Sequence, residues 1–367
     1  MTTTQKRLIS LDALRGFTIA GMIIVNSPGS WSHIYTPLEH AEWNGVTPTD
    51  YVFPFFLFIV GVSIALAYQK KLDANVDKKK MLSKIIWRSI KIYALGIFLW
   101  LWHRDFDFAH IRWVGVLPRI AFVFLPCALL FLYTDWKQQL KIAIAILIGY
   151  WILMAYVPVP GIGTPDLSEP MKNWANWIDS RYLPGVMWQK IWDPEGFLST
   201  LPAIATGISG MLMGRIILDI REDYQKISHL FFWGFVMLII GGIWNWFFPY
   251  NKNLWSSSYV LHTSGLATLA LASLYLVVDI WNKKNWTTLG RVFGANAITS
   301  YVLSGLLISI FYESVFGMPA LNESFMNTLT SVGADPKFAS MLYAIIYMLV
   351  IYIPAYVLYK SKIFIKL

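Results

Sequence analysis

Ten apolar stretches, most of them close to 20 residues, run along the whole chain and constrain it more than any other feature. They cover 10–27, 50–69, 86–103, 113–133, 139–157, 197–217, 229–248, 257–281, 291–312 and 339–360. A helix that crosses a bilayer core needs about 20 such residues. The chain is 56% hydrophobic and only 14% charged, against roughly 25% charge in soluble domains. The net charge of +9 would suggest nucleic acid in a soluble protein. Here the composition excludes that class, and no nucleic-acid partner is expected. The expected fold is all-α: a polytopic membrane helix bundle of about ten transmembrane helices in one domain over 1–367, embedded in a lipid bilayer.

The loops give the orientation. With the N-terminus in the cytoplasm, 20 of the 30 Lys and Arg fall on inner segments, from Lys6 and Arg7 through the cluster Lys70–Arg88 to Lys360, Lys362 and Lys366. Seven fall outside, and Arg15, Lys91 and Arg119 lie within spans. That bias is the ordinary signature of a cytoplasmic face, and it puts both termini inside. The inner segments sum to +12 and the outer ones to −6, so a bland basic total conceals a dipolar protein. The first apolar run carries Asp12 and Arg15 and lacks a small-residue cleavage site, so it is a retained span, not a removed signal. The single cysteine, Cys127, excludes an intramolecular disulfide and any cysteine-based metal cluster.

Ionisable residues inside spans are functional by default. Asp12 and Arg15 are three residues apart and share one helix face, so they form a structural pair. Arg119 lies nearer the outer end of its span. Arg88 and Lys91, with the lysines at 78–84, form a basic inner mouth suited to an anionic cofactor. Snorkelling and topology would account for these bases equally well.

The outer loops differ in kind. Loop 28–49 holds His33 and His40, the latter in Leu38-Glu39-His40-Ala41-Glu42-Trp43-Asn44-Gly45. A histidine among carboxylates at a membrane surface is poised for general-base work near neutral pH. Loop 158–196 is about 39 residues long, and the spacing of Met171, Trp174, Trp177 and Ile178 predicts a short amphipathic helix. Trp192-Asp193-Pro194-Glu195-Gly196 and Asn251-Lys252-Asn253-Leu254-Trp255 interleave tryptophan with acids and amides. That mix suits a sugar, whose apolar face stacks while its hydroxyls bond. There is no HExxH, no His–carboxylate metal spacing and no serine-centred elbow, and no metal is expected. Gly210-x-x-x-Gly214 permits close helix packing.

Together these segments resemble the heparan-α-glucosaminide N-acetyltransferase family of membrane acyltransferases. The resemblance runs through Leu11-Asp12-x-x-Arg15-Gly16, Val25-Asn26, His40-Ala41-x-Trp43-Asn44-Gly45-x-Thr47 and Asp50-x-Val52-Phe53-Pro54. It continues in Trp87-Arg88-Ser89, Gly115-Val116-Leu117-x-Arg119, Pro158-Val159-Pro160-Gly161, Asp193-Pro194-Glu195-Gly196 and Asn251 through Val260. It reaches the tail at Tyr359-Lys360-Ser361-Lys362-Ile363-Phe364. The chain has no counterpart of the large N-terminal lumenal region of the animal lysosomal enzyme, so the resemblance implies a bare catalytic module in a bacterial inner membrane.

The resemblance implies acetyl transfer from cytosolic acetyl-CoA to the amine of a glucosamine-type sugar on the outer side, by a homodimer. The family's active-site histidine falls on His40, and its Val-Asn pair on Val25-Asn26. In this reading His40 takes the amine proton and Asn26 polarises the thioester carbonyl. Arg15, Arg88, Lys91 and Arg119 hold the cofactor. Asp50, Asp193 and Glu195 draw in the amine, and Trp43, Asn44, Asn253 and Trp255 hold the sugar. Direct displacement and an acetyl-His intermediate fit equally well. An amino-sugar or cell-wall-fragment transporter and an O-acyltransferase acting on a glycan or lipid hydroxyl are the competing readings.

Overall fold

The computed structural model describes residues 8–314 and 319–365. Lys6, Arg7 and Lys366, used above for orientation, lie outside the described residues. Thirteen α-helices and no strands occur among those described. In order they are α1 (Ile9–Asn26), α2 (Val52–Asp73), α3 (Lys78–Trp102), α4 (Val116–Tyr133), α5 (Trp136–Tyr156), α6 (Trp174–Tyr182) and α7 (Thr200–Asp219). There follow α8 (Asp223–Trp244), α9 (Ser257–Leu274), α10 (Thr288–Ala295), α11 (Ala297–Phe311), α12 (Leu321–Ser331) and α13 (Pro336–Lys360). Among the described residues, nine helical segments are long and apolar enough to cross a membrane, and α10 with α11 make a tenth as one broken span. Each falls on one of the ten expected stretches. The chain is a polytopic helical membrane protein.

The chain forms two compact units. One comprises residues 8–40, Thr47–Phe53 and 270–365, and the other Ala41–Val46 and Pro54–Leu269. In the first unit, α1 begins at Leu8, which offers no side-chain cap. Its amides Ile9 N and Ser10 N donate instead to the two oxygens of Asp279, at 3.1 and 3.0 Å. A carboxylate there satisfies two orphan donors and complements the helix dipole. One turn on, Gly16 lets α1 press against α10: a Cβ at that position would overlap the carbonyl of Gly290. Arg15 Nη1 reaches Asp12 Oδ1 at 3.1 Å and the Gly294 carbonyl at 3.3 Å, so the Asp12–Arg15 pair forms.

Helices α10 and α11 meet at 73°. The break is at Asn296, whose φ of −130° and ψ of 46° are not helical. A broken helix exposes backbone groups that lipid cannot satisfy. Here the Asn296 amide binds the tail: Nδ2 donates to Ile363 O at 3.0 Å and Oδ1 accepts from Ile365 N at 2.9 Å. The side chain at the break thus ties down the family-like ending beyond Lys360.

In the second unit, α7 packs on α2 through small residues. A Cβ on Gly61 would overlap Gly207 O, one on Gly210 would overlap Phe58 O, and one on Gly214 would come within 2.7 Å of Ala65 Cβ. The expected Gly210–Gly214 contact is one part of a longer small-residue seam. The outer loop is tied down by indoles: Trp174 Nε1 donates to Val157 O (2.8 Å), Trp177 Nε1 to Pro160 O (2.9 Å) and Trp43 Nε1 to Leu167 O (2.9 Å). The expected short helix in this loop is α6, capped by Asn173 accepting from Asn176 N. Helix α12 lies in a loop for which no helix was expected.

Gly61→Ala is expected to destabilise the protein by about 1–3 kcal/mol through backbone overlap. Gly149→Ala, inside α5 where a Cβ would meet nothing within 4 Å, should not destabilise and is expected to gain up to about 1 kcal/mol from helix propensity. Thermal melts of the two variants in one detergent check this.

Candidate active site

The first unit builds a histidine–carboxylate pair. Thr47-Pro48-Thr49-Asp50 opens a one-turn 3-10 helix (Pro48–Tyr51) with proline at its first position, where a missing N–H costs nothing. As in a capping box, Asp50 turns back on Thr47, and its Oδ2 accepts from Thr47 N (3.0 Å) and Thr47 Oγ1 (3.2 Å). That leaves Oδ1 facing His40 Nδ1 at 2.6 Å. Further bonds fasten the turn: Thr47 Oγ1 to Glu39 O at 2.5 Å and Thr49 Oγ1 to Pro37 O at 3.2 Å. Asp50 is 1% exposed while the His40 side chain is 45% exposed. A buried carboxylate thus orients an accessible imidazole. Asn26, the last residue of α1, is exposed.

The second unit builds a buried charge cluster. Arg112 clamps Asp193 through Nε (2.7 Å) and Nη2 (2.6 Å), and Nη2 also reaches Glu195 Oε2 at 2.6 Å. Burial alone would loosen the proton of Arg112, but Asp193 and Glu195 outweigh it and hold the guanidinium charged beyond its ordinary range. The carboxylates assigned to the incoming amine therefore face inward, onto an arginine whose role the sequence reading did not anticipate. Arg119, on the first turn of α4, is 1% exposed. Its Nη2 donates to Gly196 O at 3.2 Å and to Ser199 Oγ. The ring of Trp255 lies 5.1 Å from its guanidinium, and Trp255 Nε1 donates to Thr206 Oγ1 at 3.0 Å.

The remaining assigned residues are spread more widely. Trp43 packs edge-on against Trp192 at 5.3 Å. Asn44 is exposed, donates to Leu167 O and accepts from Asn251 Nδ2 at 3.0 Å. Asn253 is half-buried. On α3, Lys91 is exposed, and the exposed Arg88 stacks its guanidinium on Phe124 at 4.8 Å. Among the described residues, no group of three or more His, Cys, Asp or Glu could hold a metal ion.

A family model described as "Heparan-alpha-glucosaminide N-acetyltransferase, catalytic" matches residues 7–242. The chain belongs to that family. It is 29% identical to the human protein named heparan-alpha-glucosaminide N-acetyltransferase and 28% identical to the mouse protein of that name. Both matches take in the whole of this chain and 61% of the relative, so the chain spans about three fifths of their length.

In this member of the heparan-α-glucosaminide N-acetyltransferase family, sequence reasoning named His40 and Asp50 but gave them separate roles. The Thr-x-x-Asp capping pattern was the signal that joins them. Asp179 and Ser199 were missed. Asp179, on α6, is 1% exposed. Its Oδ1 accepts from Phe197 N at 3.0 Å, and its carboxylate lies where a Cβ on Gly196 would be. Burial pushes its carboxyl up to about 7; the Phe197 amide opposes the shift and Asp193 adds to it.

A folded-state carboxyl raised above its unfolded value binds the extra proton in the native state. Stability therefore falls as pH rises from about 4 to about 7, by at most about 1.4 kcal/mol per pH unit, and levels off above that. Asp179→Asn keeps the acceptor for Phe197 N and should flatten the melting temperature against pH over that window, a change read by melts in matched buffers.

Proposed function

We propose that the chain is a transmembrane acetyltransferase. It moves an acetyl group from cytosolic acetyl-CoA to the amine of a glucosamine-type sugar on the extracytoplasmic side. The observation that carries this reading is the His40–Asp50 pair. Asp50 Oδ1 accepts the Nδ1 proton at 2.6 Å, which leaves Nε2 as the basic atom of an imidazole that is 45% exposed. This is the arrangement a general base or nucleophile needs. Family membership supports the reaction class, and the names of the human and mouse relatives support the glucosamine acceptor.

The step balances simply. The neutral amine attacks the thioester carbonyl, the C–S bond breaks, and the proton lost by nitrogen passes through Nε2 of His40 to the departing thiolate. Asn26 serves as the carbonyl donor. Buried Asp50 stabilises the imidazolium that forms in transit. An acetyl-His route uses the same atom and the same orientation. Arg88 and Lys91, exposed on the inner half of α3, suit the phosphates of acetyl-CoA, which cannot enter lipid. The basic inner segments fit that sidedness. The same resemblance supports a homodimer in a bacterial inner membrane.

The test is acetyl transfer by purified protein from acetyl-CoA to glucosamine. His40→Ala should lower kcat by roughly 10²–10⁴-fold. Asp50→Asn should lower it less, with KM for both substrates within a few-fold of wild type. Undiminished turnover in His40→Ala would remove the histidine from the mechanism. Glucosamine uptake into vesicles without acetyl-CoA would favour a transporter, and esters as products an O-acyltransferase.

A further inference from the structure

Arg119 is the strangest group in the second unit. It is fully buried, yet Nε and Nη1 have no hydrogen-bond acceptor among the described residues. A buried charged donor left unanswered is costly, and the surroundings hold this one deliberately. Trp255 lies beneath it with φ at 53°, a left-handed backbone that bulky residues rarely adopt. The indole bond to Thr206 and the packing under Arg119 keep that strained conformation in place. Arg119 is thus held in place with two N–H donors left over.

Two observations say what it can receive. The first is geometric. A guanidinium grips phosphate or carboxylate in bidentate fashion through an edge that includes Nη2, as Arg112 does with Asp193. In Arg119 that nitrogen is already committed to Gly196 O and Ser199 Oγ, so only single, divergent donors remain. The second is electrostatic. Arg119 feels the carboxyl groups of Glu195, Asp193 and Asp179, and Arg112 is paired with the first two. Two guanidinium groups face three carboxyl groups. The cluster is neutral with Asp179 protonated and carries one negative charge with it ionised, so nothing is left over to welcome an anion.

We infer that Arg119 receives neutral carbonyl oxygens, presented along an extended ligand, and not phosphate. Resting on the acetyltransferase reading, the ligand of that chemistry is the pantetheine arm of the donor, with two amide carbonyls in series. The acetamido group of an N-acetylated sugar is the other source. Arg119 is thus a positioning residue for the arm, while the phosphates are held elsewhere.

The experiment is direct binding of pantetheine, N-acetylglucosamine and inorganic pyrophosphate to the full-length protein in detergent, for wild type and Arg119→Lys. Lysine keeps the charge but replaces the fixed Nε and Nη1 donors of the planar guanidinium with a single ammonium nitrogen. Pantetheine should bind wild type with an affinity insensitive to ionic strength, and Arg119→Lys should weaken it roughly ten- to hundred-fold, as expected for hydrogen bonds to a charged group. An Arg119-dependent site for N-acetylglucosamine alone would keep the carbonyl chemistry and move the source to the sugar. Equal binding of both carbonyl probes by the two proteins would overturn the inference, as would pyrophosphate displacing pantetheine from wild type but not from Arg119→Lys. If the variant fails to fold, the amide band of carbon-13-labelled pantetheine should still move to lower frequency on binding wild type, and an unshifted band would overturn it. Acetyl transfer is scored separately: a protein that transfers acetyl but binds both carbonyl probes without Arg119 loses this inference and keeps the function.

Discussion

Every polar group that these helices bury must be answered within the protein, because lipid offers no hydrogen bonds. That single constraint explains most of the structure's irregular features. Asp279, in the π-helical stretch Tyr275–Ile280 that continues α9, caps the start of α1. The Asn296 side chain at the helix break answers two backbone groups of the tail. Tryptophan indoles pin the outer loop to its own carbonyls. Asp50 lies buried because Thr47 and His40 between them use both its oxygens. Where the constraint is met, the group reads as architecture. At Arg119 two donors of a buried charged group lack an acceptor among the described residues, and that exception is what the carbonyl-binding inference rests on.

The fold was almost wholly legible in the sequence, because a span announces itself through a local property, twenty consecutive apolar residues. All ten stretches are helical, and Trp174-to-Ile178 spacing marked α6. The break at Asn296 was hidden because the apolar run continues across it, and hydropathy does not register a change of direction. Helix α12 was hidden for the opposite reason: Leu321–Ser331 is mostly polar and too short to span.

The candidate site was legible residue by residue but not pair by pair. His40 and Asp50 are ten positions apart, and the turn at Thr47–Asp50, fastened to Glu39 and Pro37, brings them together. Arg112 lies some eighty residues from Asp193 and Glu195, so nothing local linked them. A count of outer acids therefore overstated the charge they offer an amine. At these two positions the acid is directed at an arginine. In the proposed mechanism the acceptor's amine is therefore left to His40, and not to these two carboxylates.

The central claim is that one protein carries an acetyl group across the bilayer without carrying the acceptor. Sealed proteoliposomes with protein of one orientation separate the two events. With acetyl-CoA confined to the side of the basic inner segments and glucosamine confined to the other, N-acetylglucosamine should accumulate only on the glucosamine side. The free thiol should accumulate only with the donor. Product on the donor side, or product formed only when both substrates share one compartment, would contradict the claim.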